Sequence, residues 1–290
     1  MKFAFFGTGP LAESVLAALY KAGYTPTLLV TKPDAPQGRH MEVKPPHIKT
    51  WAQLKNIPVF QPETLRELPK DSPLHTVPFD VFIVASYGKI IPDEILGLAE
   101  KGALNVHPSL LPRYRGPSPI ESALLDGVMT TGVSIMKLDK EMDHGPILLQ
   151  SAFIIDAQAT AGTMEVSCGI LGGELLVQVL PHYMEGTLLP KEQSHADATL
   201  CKKITKELGE ITLITQASEV QRKFRALTPW PGIYFFITHK EKNIRVKVTE
   251  VDLMLATTDT LTAEDIITRV VPEGRKEMDF ESFKRGYLGR

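Results

Sequence analysis

Cysteine is scarce. The 290 residues hold two, Cys168 and Cys201. They have no CxxC spacing, which argues against a disulfide framework and fits a reducing compartment. Charge imbalance is equally small, at −2 net. No global basic field is available to hold nucleic acid, so any RNA contact must come from a local patch. No apolar run approaches the roughly 20 residues of a membrane span. The apolar stretch after Met1 is too short for a signal peptide. Metal-ligand spacings are missing, and no internal repeat is evident. These absences predict a cytoplasmic protein that uses neither a membrane nor a metal.

What is present is an ordinary globular composition and a length sufficient for two domains. Residues 2–6 are apolar and lead into Gly7-Thr8-Gly9-Pro10-Leu11-Ala12. A helix is expected to about Lys21 and a strand at Thr27–Val30, a βαβ unit. The GxGxxA pattern resembles a dinucleotide fingerprint. Thr31 and Lys32 stand where an acidic residue should meet the ribose, which disfavours a nicotinamide oxidoreductase. Residues 31–46 read as a long proline-rich loop carrying Lys32, Arg39, His40 and Lys44. A helix from His47 to about Lys55 and a brief strand at Val59–Phe60 come next. Phe79–Ala85 is a nearly continuous apolar run, which suits a strand covered on both faces. Pro92 opens a helix to about Leu98, and Gly102–His107 is the next strand. This alternation predicts a parallel, doubly wound α/β sheet.

The stretch from Ala103 to Gly116 organises the chain. Asn105 and His107 sit two apart, so on a strand they share a face. Pro108 cannot donate to a ladder and should end the strand. An amide and an imidazole thus stand at a strand's carboxyl end, where open α/β sheets bind ligands. Ile120–Leu125 is expected as a helix, and Thr131–Leu138 and Ile147–Ile155 as strands. The loop between those strands, Asp139–Pro146, presents carboxylates and His144. Residues 160–185 read as a long helix that Pro181 should bend or shorten. The polar stretch 186–203 reads as a linker. Domains are therefore expected at 1–190 and 204–290. In the second, Ala217–Leu227 reads as a helix, Ile233–Thr238 and Ile244–Val251 as strands, and 270–290 as a charged tail.

Asn105-Val106-His107, the run from Ser109 to Gly116, and Asp143 together resemble the folate-dependent formyltransferases. Phe6-Gly7-Thr8, the loop Lys32–Arg39 and Arg225–Gly232 point within that family to the branch that formylates methionyl-tRNA. The resemblance implies a Rossmann-type formyltransferase domain and a small C-terminal, OB-like β-barrel domain. The barrel is expected to be truncated, because the polar segment 257–262 replaces strand sequence usual in the family. It implies an enzyme of translation initiation, transferring a formyl group from the co-substrate 10-formyltetrahydrofolate to the α-amino group of initiator methionyl-tRNA. A sugar-nucleotide N-formyltransferase with the same co-substrate is the alternative. A catalytically dead folate- or RNA-binding protein is disfavoured by the presence of Asn105, His107 and Asp143 together. A monomer is expected.

By the same resemblance Asn105, His107 and Asp143 are the catalytic trio. The folate site is expected at Ser86, Tyr87, Gly88, Ile90, Ile91, Ser109, Leu110, Leu111, Pro112, Leu138 and Asp139. tRNA contacts are expected from Lys32, Arg39, Lys44, Lys242, Arg245 and Lys247. Chemically, formyl transfer is acyl transfer to an amine. Asn105 can donate to the formyl oxygen as charge builds. His107 can take the amine proton, or donate to the oxyanion. Asp143 can fix the imidazole tautomer. Arg113 and Arg115 can either hold phosphate or shape their own loop.

Overall fold

The computed structural model describes residues 1–37, 41–255 and 260–289. In chain order these form β1 (Phe3–Gly7), α1 (Pro10–Lys21), β2 (Leu28–Val30), β3 (Ala35–Gln37), β4 (Glu42–Lys44), α2 (His47–Leu54), β5 (Val59–Phe60), α3 (Pro73–Thr76), β6 (Val81–Ala85), α4 (Asp93–Leu96), β7 (Ala103–His107), α5 (Pro119–Asp126), β8 (Thr130–Lys137), β9 (Ile147–Ile154) and α6 (Ala161–Glu185). They continue as α7 (Ala217–Leu227), β10 (Ile233–His239), β11 (Lys242–Val251), α8 (Ala263–Ile266), β12 (Ile267–Pro272), β13 (Met278–Asp279) and α9 (Phe280–Phe283). Two compact units result. The first comprises Met1–Pro119, Thr130–Phe153 and Glu165–Cys201. The second comprises Ile120–Met129, Ile154–Met164 and Lys202–Arg290.

The first unit is built on one sheet in the order β5-β2-β1-β6-β7-β8-β9. Pairing is parallel from β5 to β7 and turns antiparallel between β7 and β8. The sheet is thus a mixed α/β sheet with a parallel centre. β1 and β6 are buried along their whole length, as strands covered on both faces must be. The order reverses between β1 and β6, and the crevice at such a point lies beyond the strands' carboxyl ends. Gly7 ends β1 there. A Cβ on Gly7 would come 2.7 Å from the Ala12 Cβ and 2.9 Å from the Ala85 carbonyl. The first glycine of the GxGxxA pattern is therefore needed for strand–helix packing. Phe6 meets Phe82 and Tyr87 edge-on at 5.1 and 5.6 Å. Such pairs contribute about 0.5–1.5 kcal/mol each beyond their buried area.

One expectation about α6 is corrected. By length and composition this helix is apolar enough to cross a membrane, contrary to the reading that no run approaches a span. Half of its apolar window is buried. Gly169 lies against Leu11 and Ser14, Gly172 against Val106 and Val133, and Gly173 against Val15 and Ala18. Its apolarity is explained by burial of one face against α1 and the sheet. The helix spans its expected range and runs through Pro181 to Glu185, so Pro181 does not shorten it. The 31–46 segment, read as a loop, contains the β3–β4 ladder. Its base is tied down by Asp34, which accepts from Lys49 at 2.8 Å and from Gln61 at 2.7 Å.

The second unit is an antiparallel sheet, β10-β11-β12-β13. Ile233, Phe235, Val246, Val248 and Val270 form its buried face. The expected charged tail is more than solvated surface. It supplies β12, β13 and α9, and Phe280 and Phe283 are buried against Phe235. Residues 120–129 and 154–164 cluster with this unit. Arg225 on α7 donates to the Ala159 carbonyl at 2.8 Å and to the Asp156 carbonyl at 2.9 Å. Gly162 N–H donates to the Thr228 carbonyl at 3.1 Å.

Candidate active site

β7 carries the first two site residues. Its register sets Asn105 beside Val84 and Met136, and His107 opposite Ser134. His107 is 4 % exposed, and Asn105 is half-buried. His107 Nε2 lies 2.9 Å from the Tyr114 carbonyl. A carbonyl only accepts, so Nε2 holds a proton and donates it. Nδ1 is left as the nitrogen that gains and loses a proton. It faces Asp143 Oδ1 at 3.5 Å, an ion-pair distance longer than a formed hydrogen bond. Catalytic contacts often stand this open before substrate arrives. The other Asp143 oxygen, Oδ2, accepts from Gly116 N–H at 2.8 Å. Asp143 itself has φ 51°, a left-handed backbone uncommon for a non-glycine residue.

The loop after β7 is pinned from below. Ser134 Oγ on β8 donates to the Ser109 carbonyl at 2.6 Å. It accepts from Leu111 N–H at 3.1 Å and from Gln150 at 2.7 Å. That uses the hydroxyl's full capacity. Gln150 also donates to the Leu111 carbonyl at 2.9 Å, and Ser109 Oγ to the Arg113 carbonyl at 2.6 Å. Neither Ser134 nor Gln150 was marked in the sequence. A polar side chain inside the apolar strand Thr130–Lys137 was the available signal. The two arginines separate: Arg113 is exposed, 5.9 Å over the Tyr114 ring, whereas Arg115 is buried. Arg115 therefore shapes its own loop.

The segment read as a linker is corrected as well. Thr199 and Cys201 run beside the loop that follows β7. Arg115 N–H donates to the Thr199 carbonyl and Cys201 N–H to the Arg115 carbonyl, both at 2.8 Å. Tyr114 N–H donates to Thr199 Oγ1 at 2.8 Å. The backbone of Tyr114, whose carbonyl holds His107, is thus fixed by residues some 85 positions away. Further up the same segment, the Arg115 guanidinium donates to Gln193 and to His195 Nδ1. His195 stacks on His144 with ring centroids 4.0 Å apart, and His144 is held by Asp139 at 2.7 Å.

The residues expected to hold folate divide into groups. Ser86 and Gly88 follow β6 in left-handed backbone, at φ 50° and 70°. Tyr87, Ile91 and Leu138 pack into one cluster with Val84. Tyr87 is 2 % exposed and its hydroxyl has no partner among the described residues. Burial pushes the Tyr87 hydroxyl up to about 12. Ile90 is exposed. Ser109 is buried and spent on its own loop, with Leu110, Leu111 and Pro112 in that loop. Leu138 N–H donates to the Ala103 carbonyl at 2.8 Å, and Asp139 accepts from Glu141 N–H and His144.

Among the expected tRNA residues, Arg39 lies outside the described residues. Lys44 is exposed and paired with Glu42 at 3.0 Å. Lys32 turns back towards the β6 loop, where a Cβ on Gly88 would come 2.7 Å from its Nζ. On β11, Arg245 and Lys247 alternate with the buried Val246 and Val248 and so share the outer face. Arg245 lies 3.8 Å over the Tyr234 ring, and its register partner Phe236 is exposed. Lys242, at the strand's start, has the opposite parity.

Residues 1–180 match the formyl transferase family, and residues 203–262 match the formyl transferase C-terminal domain. The chain belongs to the formyl transferase family. It is 43 % identical over 236 residues to the methionyl-tRNA formyltransferase of Chloroflexus aurantiacus strain J-10-fl, covering 81 % of this chain and 76 % of that one. Among solved structures it resembles the sugar 3N-formyl transferase WlaRD, solved with dTDP and 5-N-formyl-THF. That match has TM-score 0.59 and 17 % identity, and covers 86 % of each chain. It also resembles HypX from Aquifex aeolicus in complex with tetrahydrofolic acid, at TM-score 0.63 and 16 % identity, over 99 % of this chain and 47 % of that one. These two likenesses speak for the fold alone.

Proposed function

We propose that this enzyme transfers a formyl group from 10-formyltetrahydrofolate to the α-amino group of initiator methionyl-tRNA. The carrying observation is the meeting of His107 Nδ1 with the Asp143 carboxylate, 3.5 Å apart, on the face where Asn105 stands. The methionyl-tRNA formyltransferase relatives support the acceptor. The domain roles follow: 1–190 does the chemistry and 204–290 binds tRNA.

In this reading the folate supplies the formyl group, and the acceptor's neutral amine attacks its carbon. Asn105 donates its amide N–H to the formyl oxygen as charge builds there, a role worth typically about 3–4 kcal/mol. His107 takes the amine proton at Nδ1, since Nε2 is committed to the Tyr114 carbonyl. Asp143 then stabilises the imidazolium. The carbon–nitrogen bond to the folate breaks, and the proton returns to that nitrogen from His107. The free hydroxyl of Tyr87, the apolar Val84, Ile91 and Leu138, and the turned backbone at Ser86 and Gly88 suit a flat heterocycle with polar edges.

For tRNA, the outer face of β10 and β11 offers a ring and cations together: Phe236, Arg245 and Lys247, with Arg245 stacked on the buried Tyr234. Lys32, Arg39, Lys44 and Lys242 complete the proposed contacts. We place the enzyme in the cytoplasm, as a monomer that uses no membrane. The test is incubation with 10-formyltetrahydrofolate and methionyl-initiator tRNA, reading formyl-methionine by mass. Formylation of an amino-sugar nucleotide in place of the tRNA would overturn the acceptor.

A further inference from the structure

Gln193 is a buried polar side chain, 5 % exposed, for which the chemistry above has no use. Its amide is saturated. Nε2 donates to the Asp143 carbonyl at 2.9 Å and to the Gly145 carbonyl at 2.7 Å. Oε1 accepts from Arg115 Nε at 3.1 Å and Nη2 at 2.7 Å. A guanidinium only donates and a carbonyl only accepts, so the amide has one orientation.

The two loops that Gln193 joins are the two that fix the Asp143 carboxylate. One carries Asp143 itself in left-handed backbone. The other carries Arg115, whose chain neighbour Gly116 donates to Asp143 Oδ2 at 2.8 Å. The remaining polar contacts of Asp139 and His144 close within their own loop. Arg115 is held in turn by the 199–201 segment, from the same stretch of chain as Gln193.

We infer that Gln193 is a positioning residue for formyl transfer: it holds the backbone of Asp143 and, through Arg115, the Gly116 donor, and so aims the Asp143 carboxylate at His107 Nδ1. This rests on the trio proposed above. Gln193 touches no reacting atom and acts only through Asp143. A misplacement near 1 Å at such a site can cost about 100-fold in rate. The groups facing His107 are the Asp143 carboxylate at Nδ1 and the Tyr114 carbonyl at Nε2. The other charged or titratable groups in the network are Arg115, Asp139, His144, His195 and Cys201, whose thiol donates to the Tyr114 and Arg115 carbonyls.

The test is a double-mutant cycle of Gln193→Ala with Asp143→Asn, in the full chain. Gln193→Ala should lower kcat about 10- to 100-fold and leave KM for 10-formyltetrahydrofolate within about twofold. The acid limb of its kcat profile should move to lower pH, as in Asp143→Asn, because the imidazolium has lost its carboxylate. In the Asp143→Asn background Gln193→Ala should cost no more than about twofold. Equal losses in both backgrounds, a loss carried by KM, or an unmoved pH profile would overturn the inference. Gln193→Glu keeps the Arg115 pairing while losing both donors. It should reproduce the kcat loss, and it serves if Gln193→Ala does not fold. NMR titration of the His107 ring in ligand-free protein separates the two claims. A wild-type enzyme that formylates nothing overturns the functional reading. The shared His107 shift in the Gln193 and Asp143 variants still decides the positioning role.

Discussion

Asn105 and Asp143 serve one site from opposite kinds of structure. Asn105 sits on β7, laddered to neighbours on both sides in a sheet whose central strands are buried. Its position follows from the strand period and needs no outside help. Asp143 sits in a nine-residue connection between β8 and β9, with φ 51°. Non-glycine residues in that region cost about 1–3 kcal/mol and persist where surroundings over-determine them. Here Gly116 and Gln193 provide that constraint. The half of the site built on a strand is rigid by default. The half built on a loop is rigid by tethering, and tethers are where variants should separate the two.

The largest effect should come from the strand half. Asn105→Ala and His107→Ala should each lower kcat/KM for formyl transfer by at least about 100-fold, the scale of losing an oxyanion donor or a general base. Both should keep a cooperative melting transition; near-normal turnover in either would remove the mechanism. Next is the tether. Gly116 has φ 119°, and a Cβ there would come 2.7 Å from the Cys201 carbonyl. Gly116→Ala should push the loop off the 199–201 segment and misplace the donor to Asp143. A drop in kcat of about tenfold with a lower melting temperature is expected; unchanged kcat would show that the tether is slack.

Smaller effects are expected away from the chemistry. Arg245→Ala and Lys247→Ala should each weaken tRNA binding uniformly and reduce the salt slope by about one. Arg39→Ala should raise KM for methionyl-tRNA while folate affinity holds. Salt-independent binding would exclude phosphate contacts on that face. The smallest effect concerns Asp34, whose carboxyl is held below the usual range by hydrogen bonds from Lys49 and Gln61. A lowered folded value means stability that is present above the ordinary carboxylate range and lost as pH falls through the folded value. Asp34→Asn should flatten the acid side of the melting-temperature profile slightly; a steeper acid limb would contradict the sign.

Much of the first unit is legible in the sequence. Phe79–Ala85 announced a strand covered on both faces, and β6 is one. Pro108 marked the end of β7, and the period of two placed Asn105 and His107 together. Asp143 was legible only through family resemblance, because an acid-rich hairpin loop has the same composition whether or not it reaches an imidazole. The charged tail concealed Phe280 and Phe283, since isolated aromatics among lysines and glutamates carry no periodic signal. The stretch 186–203 reads as a linker for a similar reason: polar residues that make long-range hydrogen bonds are locally indistinguishable from a solvated linker.

The sequence by itself determined the strand periods, the glycine that lets α1 meet β1, and the order of Asn105, His107 and Asp143. These depend on contacts within a few residues, or on a pattern the chain spells out directly. Only the tertiary structure decided that Nε2 of His107 is committed to Tyr114, that Arg115 is buried and structural, and that Gln193 bridges two loops. Each rests on partners brought from up to 80 positions away. Such pairings are selected by the arrangement that satisfies these buried donors and acceptors together, and no local stretch of sequence carries that condition.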